Sequence, residues 1–382
     1  MDFNFSELFL FLEFNDFWDY LQVVFYAAFI IQLFFYLGVF LRLALHKDNQ
    51  ESIHLPPVSV IICAKNEREN LLEYLPMYLT QNYYKYEVVV VNDNSLDDTA
   101  DVLKAFALQH KHLKIVTVPD NDRFFGSKKF ALTLGIKAAQ YECVLLTDAD
   151  CKPASAEWIS HMSKYEGTNK IILGVGNYAK QPGLLNRLIR FETFYTAMQY
   201  LSFSLIKLPY MGVGRNLAYH KELFFNNKGF ASHQHILSGD DDLFINEVAT
   251  KKNTQIVIDE ASHTISEPKT TFNSWVRQKK RHFLTGAHYQ FKHKLMLGLL
   301  QFSQWLFILA FILLLIKVRP VYLFVGTFVL RYLIQLIVFK LSANKIGGKD
   351  LVLLAPFYEL FFMVFNPLLV TSNMLIKQAK WN

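Results

Sequence analysis

Apolar and polar positions change rhythm three times along this 382-residue chain. Residues 1–20 mix aromatics with five acids and no Lys or Arg; then Leu21 to Leu41 run without a charge, and Arg42, His46 and Lys47 follow at once. A run of that length crosses a bilayer. After Pro56-Pro57 the rhythm becomes an alternation. Short apolar runs at Val58–Cys63, Glu87–Val91, Leu113–Val118 and Cys143–Thr147 read as buried strands, and the patterns at Glu69–Thr80, Asp97–Gln109 and Lys128–Gln140 read as helices. Strands and helices alternating at this spacing predict an α/β fold with a parallel, doubly wound sheet. The third rhythm is continuous apolarity. The stretch 184–208 is apolar and aromatic but carries Arg187, Arg190 and Glu192, which predicts a helix lying in the membrane interface. Leu295–Ile316, Val321–Phe339 and Leu351–Val370 predict three further spans, with Pro356 and Pro367 leaving room for a break in the last.

The expected organisation is therefore an N-terminal segment 1–47 with a span at 21–41, an α/β domain at 56–290 containing the interface helix, and three spans within 295–382. Composition agrees. Charged residues make up 19% of the chain, against about 25% in an ordinary soluble domain, while 52% are hydrophobic and 35 are phenylalanine. This is the composition of an integral membrane protein with a water-soluble part. The net charge of +6 comes without a long basic run, so nucleic acid is not an expected partner and an anionic membrane surface is. A cleaved signal peptide begins basic and has a shorter apolar core. Acidic residues before the first span and basic ones after it place the N-terminus outside and the domain in the cytoplasm, with a bacterial inner membrane the expected location. Cys63, Cys143 and Cys151 lack zinc-type spacing, and a reduced compartment suits them.

The chemistry gathers where the strands end. Cys143–Thr147 leads into Asp148-Ala149-Asp150, and residues i and i+2 of an extended segment point the same way. Two carboxylates so close repel unless a cation lies between them, and a hard, oxygen-liganded ion such as Mg²⁺ or Mn²⁺ fits. Asn66, Glu67 and Asp93 fall at the carboxyl ends of the first two strands, where open α/β sheets bind ligands. Met211-Gly-Val-Gly-Arg215, Gly239-Asp240-Asp241-Asp242 and Arg277-Gln278-Lys279-Lys280-Arg281-His282 follow. Each has a structural alternative. Asp93 could cap a turn, the aspartate triplet could open a helix, and Lys279 and Lys280 are expected on a membrane-facing basic patch.

Taken in order, these motifs resemble those of the membrane-integrated family 2 glycosyltransferases, the group containing hyaluronan, cellulose and poly-N-acetylglucosamine synthases and ceramide glucosyltransferases. The resemblance covers about residues 56–290. Cys63-Ala64-Lys65-Asn66-Glu67 is similar to the family's A-[RY]-N-E, Val91-Asn92-Asp93-Asn94-Ser95 to V-D-D-G-S, and Lys128-Lys-Phe-Ala-Leu-Thr-Leu-Gly135 to K-x-x-A-L-N-x-G. Asp148-Ala-Asp150 matches D-x-D, Gly239-Asp240-Asp241 resembles G-E-D, and Gln278 to His282 resembles Q-x-x-R-W.

The resemblance implies a GT-A-type nucleotide-sugar domain. Ala64, Asn66, Glu67, Asp93, Lys128, Asp148, Gln278 and Arg281 would bind the donor, and Asp150 with Asp148 would hold the metal. The base is Asp241, or Asp240 if the motif aligns one residue earlier, and inversion at the anomeric carbon follows from base and leaving group on opposite faces. Where the family has Trp, this chain has His282, at the acceptor site of chain-building synthases. The expected activity is transfer from a nucleoside-diphosphate sugar, uridine being the implied nucleoside, to a membrane lipid or polyprenyl-linked acceptor. A processive polysaccharide synthase and a non-catalytic nucleotide-binding scaffold are the alternatives. One further expectation comes from depth alone. Arg331 and Glu359 lie near the middle of the third and fourth spans, where a lone charge costs about 2.5–3.5 kcal/mol or more, so the two should pair or flank the acceptor's path.

Overall fold

The computed structural model describes residues 16–48, 55–119, 128–165, 170–236, 238–317 and 321–375. Asp2, Glu7 and Glu13, and the two ends of the expected segments 1–47 and 295–382, lie outside the described residues.

Helix α1 (Phe17–Leu33) starts at Asp16, whose carboxylate accepts from the amides of Trp18 at 2.8 Å and Asp19 at 3.1 Å. It continues through a π-helical stretch (Phe34–Phe40) into Leu41–Leu45. The alternating region then forms β1 (Val58–Ala64), α2 (Arg68–Leu79), β2 (Tyr86–Asn92), α3 (Thr99–Gln109), β3 (Leu113–Thr117), α4 (Lys128–Ala138) and β4 (Cys143–Asp148). Val88 to Val91 are wholly buried, as a parallel strand covered on both faces must be. Further on come β5 (Cys151–Pro153), β6 (Ile171–Leu173), β7 (Gly176–Tyr178), α5 (Leu184–Leu205), β8 (Leu217–His220), α6 (Asp242–Val248), β9 (Thr254–Ile256), β10 (Thr264–Ser266) and α7 (Phe272–Gly286). The chain closes with α8 (Phe291–Lys317), α9 (Val321–Ile346) and α10 (Ala355–Leu375).

The main sheet has the order β3-β2-β1-β4-β8-β6-β9, and β5-β10-β7 form a small second sheet. The β3-β2-β1-β4 half is parallel throughout, as the alternation predicts. Beyond β4 the sheet is mixed, because β8 enters antiparallel to β4 and to β6. The chain reaches β8 only after the long α5 excursion, so no crossover helix imposes a parallel direction there. Strands of three or four residues also carry too little periodicity to read from sequence, which is why β6 to β10 escape it.

Among the described residues four helices are long and apolar enough to cross a membrane, at Phe17–Leu45, Phe291–Ile316, Val321–Ile346 and Lys349–Asn373. The last is unbroken at Pro367, and Pro356 sits in the first turn of α10, where a missing amide costs nothing. Helix α5 departs from the interface expectation: it ends at Leu205 and is enclosed. Phe191, Phe194, Tyr200 and Phe203 are all at most 3% exposed, and they belong to one core with the sheet and the spans. Two of its three charges are taken up by protein partners, while Arg187 is exposed. Arg190 donates twice to Asp350, at 2.8 and 2.7 Å, and Glu192 pairs with Lys279. The basic-patch expectation changes with it: Lys279 is buried in that pair, and Lys280 donates to Ser372 Oγ at 2.6 Å.

Within the spans, Arg331 and Glu359 meet. Arg331 Nη1 donates to Glu359 Oε2 at 2.9 Å while Nη2 reaches Oε1, and further donors go to Gln32, Gln335 and Tyr36 at 2.7, 2.6 and 2.9 Å. Gln32 in turn donates to the Ser303 carbonyl at 3.1 Å. Side chains or backbone from all four spans therefore share one polar node. Removing one partner leaves a buried uncompensated charge, at a cost of roughly 3–5 kcal/mol. Arg331→Glu should lower the thermal unfolding midpoint of the detergent-purified protein sharply. Arg331→Glu with Glu359→Arg should recover a good part of the loss; no recovery in the unfolding scan would dissolve the pairing account.

Candidate functional site

The carboxyl ends of β1, β2 and β4 meet in one cleft. Past β1, Asn66 takes a left-handed conformation (φ 56°), which asparagine tolerates. Its amide donates to Ser95 Oγ at 2.9 Å, and its Oδ1 accepts from the Leu96 amide at 2.7 Å. Glu67 is locked similarly, its amide on Thr99 Oγ1 at 3.0 Å and its carboxylate on Asn70 at 2.6 Å. Asp93 follows β2, its amide bonded to the Ala64 carbonyl at 2.8 Å. It is buried and caps nothing among the described residues. The turn into α3 is held by Asp97, which accepts from the Thr99 amide at 3.1 Å. Burial pushes the Asp93 carboxyl up, against the pull of Lys65, and burial likewise raises Glu67.

At the end of β4, Asp148, Asp150 and Cys151 bring ligand atoms within 4.8 Å of one another. Burial and then the neighbouring Asp148 raise the Asp150 carboxyl, so a cation would relieve this pair. The Cys151 thiol is turned onto Ser266 Oγ at 2.9 Å. That leaves two carboxylates as the donor set, which suits Mg²⁺ or Mn²⁺ better than a thiol-seeking ion.

Lys128, at the start of α4, joins this acidic strand end to the aspartate triplet. Its ammonium contacts Asp148 Oδ1 at 2.8 Å and Asp240 Oδ2 at 3.0 Å. Burial opposes the lysine charge, but the two carboxylates hold it protonated well above the usual lysine range. Burial also opposes the Asp240 charge, and Lys128 overcomes it, so that carboxyl sits below its usual range. Lys129 beside it is a residue sequence reasoning passed over. It donates to the carbonyls of His233 and Ile236 at 2.6 and 3.0 Å, tethering the loop that leads to the triplet.

The three aspartates have three different surroundings. Gly239 precedes them at φ +96°, and a Cβ there would lie 2.5 Å from the Leu243 side chain, so only glycine fits. Asp241 caps α6, accepting from the Asp242 amide at 2.8 Å and from the Gly214 amide at 2.7 Å. Burial, then Asp240, then Asp242 push its carboxyl up to about 7. Asp242 is turned the other way, onto the hydroxyls of Thr285 and Tyr289, the latter at 2.7 Å. The helix-opening alternative for the triplet is thus also satisfied, by Asp241.

Asp241 faces a cavity of about 380 Å³ whose wall also includes Gln278, His282 and, from the spans, Gln304, Glu359 and Asn366. Gln278 donates to Tyr178 OH at 3.2 Å, and His282 is exposed. Arg281 is half-buried on the same helix, and its carbonyl accepts from Ser238 Oγ at 3.1 Å. The structure therefore gathers Lys128, Asp148, Asp150, Asp240 and Asp241 in one cluster, with Ala64, Asn66, Glu67 and Asp93 along its strand-end side. Gly214 and Arg215 were missed as individuals. Arg215 lies 4.5 Å over the Tyr178 ring. The Gly-Val-Gly-Arg run was the available signal, two small residues before a cation.

Residues 59–225 match the family described as Glycosyl transferase family 2. An uncharacterized glycosyltransferase of Haemophilus influenzae is 31% identical over 123 residues, 32% of this chain and 36% of that protein. The poly-beta-1,6-N-acetyl-D-glucosamine synthase of Staphylococcus epidermidis is 33% identical over 111 residues, 29% of this chain and 25% of that protein. The aligned part thus spans about a third or less of these relatives' length. A mannosyltransferase from Pyrobaculum calidifontis, solved with GDP-Man and Mn²⁺, superposes with a TM-score of 0.57 at 19% identity, covering 91% of this chain and 98% of that one. Sequence and fold thus agree: residues 59–225 are similar to family 2 glycosyltransferases, and the architecture is GT-A-like.

Proposed function

We propose that this protein transfers a sugar, with inversion, from a nucleoside-diphosphate sugar to a hydroxyl of an acceptor held in the membrane. The observation that carries the reading is the position of Asp241. It adjoins the Lys128–Asp148–Asp240 cluster on one side and forms the wall of a cavity reaching between the spans on the other. The same reading takes 56–290 as the catalytic domain, on the cytoplasmic side, with uridine the nucleoside that the motifs imply. A fold neighbour solved with GDP-Man and Mn²⁺ supports the donor class and the divalent ion.

The roles divide by environment. A divalent ion held by Asp148 and Asp150 supplies positive charge where the leaving diphosphate gathers negative charge. Lys128, kept charged between its carboxylates, adds a second cation there. Asn66, Glu67 and Asp93 line the nucleotide side, and Gln278 and Arg281 approach from α7. Asp240 is committed to Lys128, so Asp241 is the base. Each of its oxygens accepts one backbone hydrogen bond and retains a second lone pair for the acceptor proton. The similarity to a poly-N-acetylglucosamine synthase favours a second reading, repeated addition to a growing chain.

Purified protein in lipid nanodiscs, given labelled nucleotide sugars and membrane lipid, tests both readings by chromatography of the product. One discrete labelled lipid supports single addition, a ladder supports the synthase, and nucleotide binding without any transfer refutes both. Asp241→Asn should cut kcat by about 10²–10⁴-fold while leaving nucleotide affinity in place. Because a base works unprotonated and this carboxyl is pushed up to about 7, kcat/KM should rise with pH through that value and flatten above it. A rate independent of pH between about 5 and 9 would remove Asp241 as the base. Asp150→Asn should weaken Mn²⁺-dependent donor binding at least about tenfold, read by titrating the metal at fixed nucleotide sugar.

A further inference from the structure

The cavity below Asp241 bears on the chemistry of the acceptor. Among the described residues its wall contains four carboxylates, Glu192, Asp241, Asp242 and Glu359, and, besides His282, two basic side chains, Arg215 and Lys279. Lys279 is spent on Glu192, and Arg215 lies over the Tyr178 ring at the catalytic end. Glu359 is neutralised by Arg331, which stands behind the wall. Between Asp241 and the spans the wall is therefore acidic or neutral. Along this stretch a phosphate group would leave water without meeting an unpaired cation among the described residues.

The membrane side of the cavity is rich in amides instead. Gln301 and Gln304 come from α8, Gln335 from α9 and Asn366 from α10, with Phe339 and Phe362 beside them. Polar side chains at span depth pair with one another or line a cavity. Gln304 donates to Tyr195 OH at 3.2 Å and Gln335 to Glu359 at 3.1 Å. The Oδ1 of Asn366 is buried with no hydrogen-bond partner among the described residues. A buried acceptor left unpaired costs about 1–3 kcal/mol, so a donor carried by a ligand would be favoured there. Amides offer donors and acceptors together, which matches neutral hydroxyl, carbonyl and amide groups.

We propose that this cavity seats a neutral amphiphile. It is a lipid with a free hydroxyl and hydrogen-bonding carbonyl or amide groups but no phosphate. Its hydroxyl points to Asp241, its polar backbone lies against Gln301 and Asn366, and its chains pass Phe339 and Phe362. The inference rests on the membrane-acceptor reading above and narrows it to a lipid without phosphate.

The test uses the full protein in nanodiscs with two photoreactive probes, a diacylglycerol carrying a diazirine on one chain and a polyprenyl phosphate carrying the same group. Cross-linked peptides are mapped by mass spectrometry, and transfer of labelled sugar to each lipid is followed in parallel. The expected result is labelling of peptides from α8 and α10 by the diacylglycerol probe, displaced by unlabelled neutral lipid, with sugar transferred to neutral lipid only. Gln301→Leu and Asn366→Leu should each raise the KM or competition constant for the lipid by about five- to tenfold, the size of one lost hydrogen bond. Both variants should keep the KM for the nucleotide sugar, which shows that they fold. Labelling and glycosylation of the polyprenyl phosphate instead would overturn this inference and leave the membrane-acceptor reading standing. Transfer to a soluble sugar or a lengthening polymer, with neither probe at α8 and α10, would overturn both. Failure of both probes to label those helices overturns the inference whatever the turnover.

Discussion

Four carboxylates, Asp148, Asp150, Asp240 and Asp241, crowd the end of one sheet, and a single ammonium makes that crowding tolerable. Lys128 lies within 2.8 Å of Asp148 and 3.0 Å of Asp240, and so ties the strand end to the loop before α6. Without it, like charges from two distant parts of the chain would be buried side by side, which ionisation does not permit. The same ammonium also divides the acids by role. It holds Asp240 ionised below its usual range, and Asp240 and burial together drive Asp241 up to about 7. Adjacent residues of one kind thus acquire opposite proton affinities, the arrangement from which acid and base assignments are read.

A second constraint fixes the membrane side relative to this cluster. Helix α5 packs between the sheet and the spans, and its N-terminal half is pinned by polar contacts as well as by its aromatic core. Arg190 grips Asp350 in the turn before α10, and Glu192 holds Lys279 of α7. Farther in, the Arg331 node draws all four spans together. The wall that carries Asp241 and the wall that carries Glu359 and Asn366 are consequently parts of one body. A base can be positioned against an acceptor only if both are held by such a scaffold.

How far this was legible in the sequence depends on which interactions are local. The parallel half of the sheet, the helices between its strands and the four apolar spans follow from periodicity and run length, which neighbouring residues set. Asp148 and Asp150 were legible because both lie on one strand end. The Arg331–Glu359 pair was legible because charge at that depth has so few alternatives. What stayed hidden was set by partners far away in sequence. The role of Lys128 as a bridge requires knowing that residue 240 lies beside residue 148. The burial of α5 and of Lys279 depends on each supplying the other's partner, and a lone Lys in a basic run reads as a surface patch. The sorting of Asp240, Asp241 and Asp242 also needs Gly214, Thr285 and Tyr289, which no local pattern connects to them.

In the proposed reaction, charge would also separate the routes by which two substrates reach Asp241. On the strand-end side, Lys128 and a divalent ion held by the Asp148–Asp150 pair would make a place for a diphosphate. On the membrane side the wall is acidic or amide-lined, and its cations are paired or placed at the catalytic end. A diphosphate that strayed toward the spans would lose its counter-charges and meet amides and carboxylates that are already paired. A neutral hydroxyl arriving from the bilayer would meet amides and finally Asp241, the proposed base. Specificity of this kind needs no tight pocket around the donor sugar. It would come from the placing of counter-charge, so that the diphosphate is disfavoured on the membrane route. Asp241 sits at the junction of the two, where burial, Asp240 and Asp242 raise its carboxyl against the pull of Lys128.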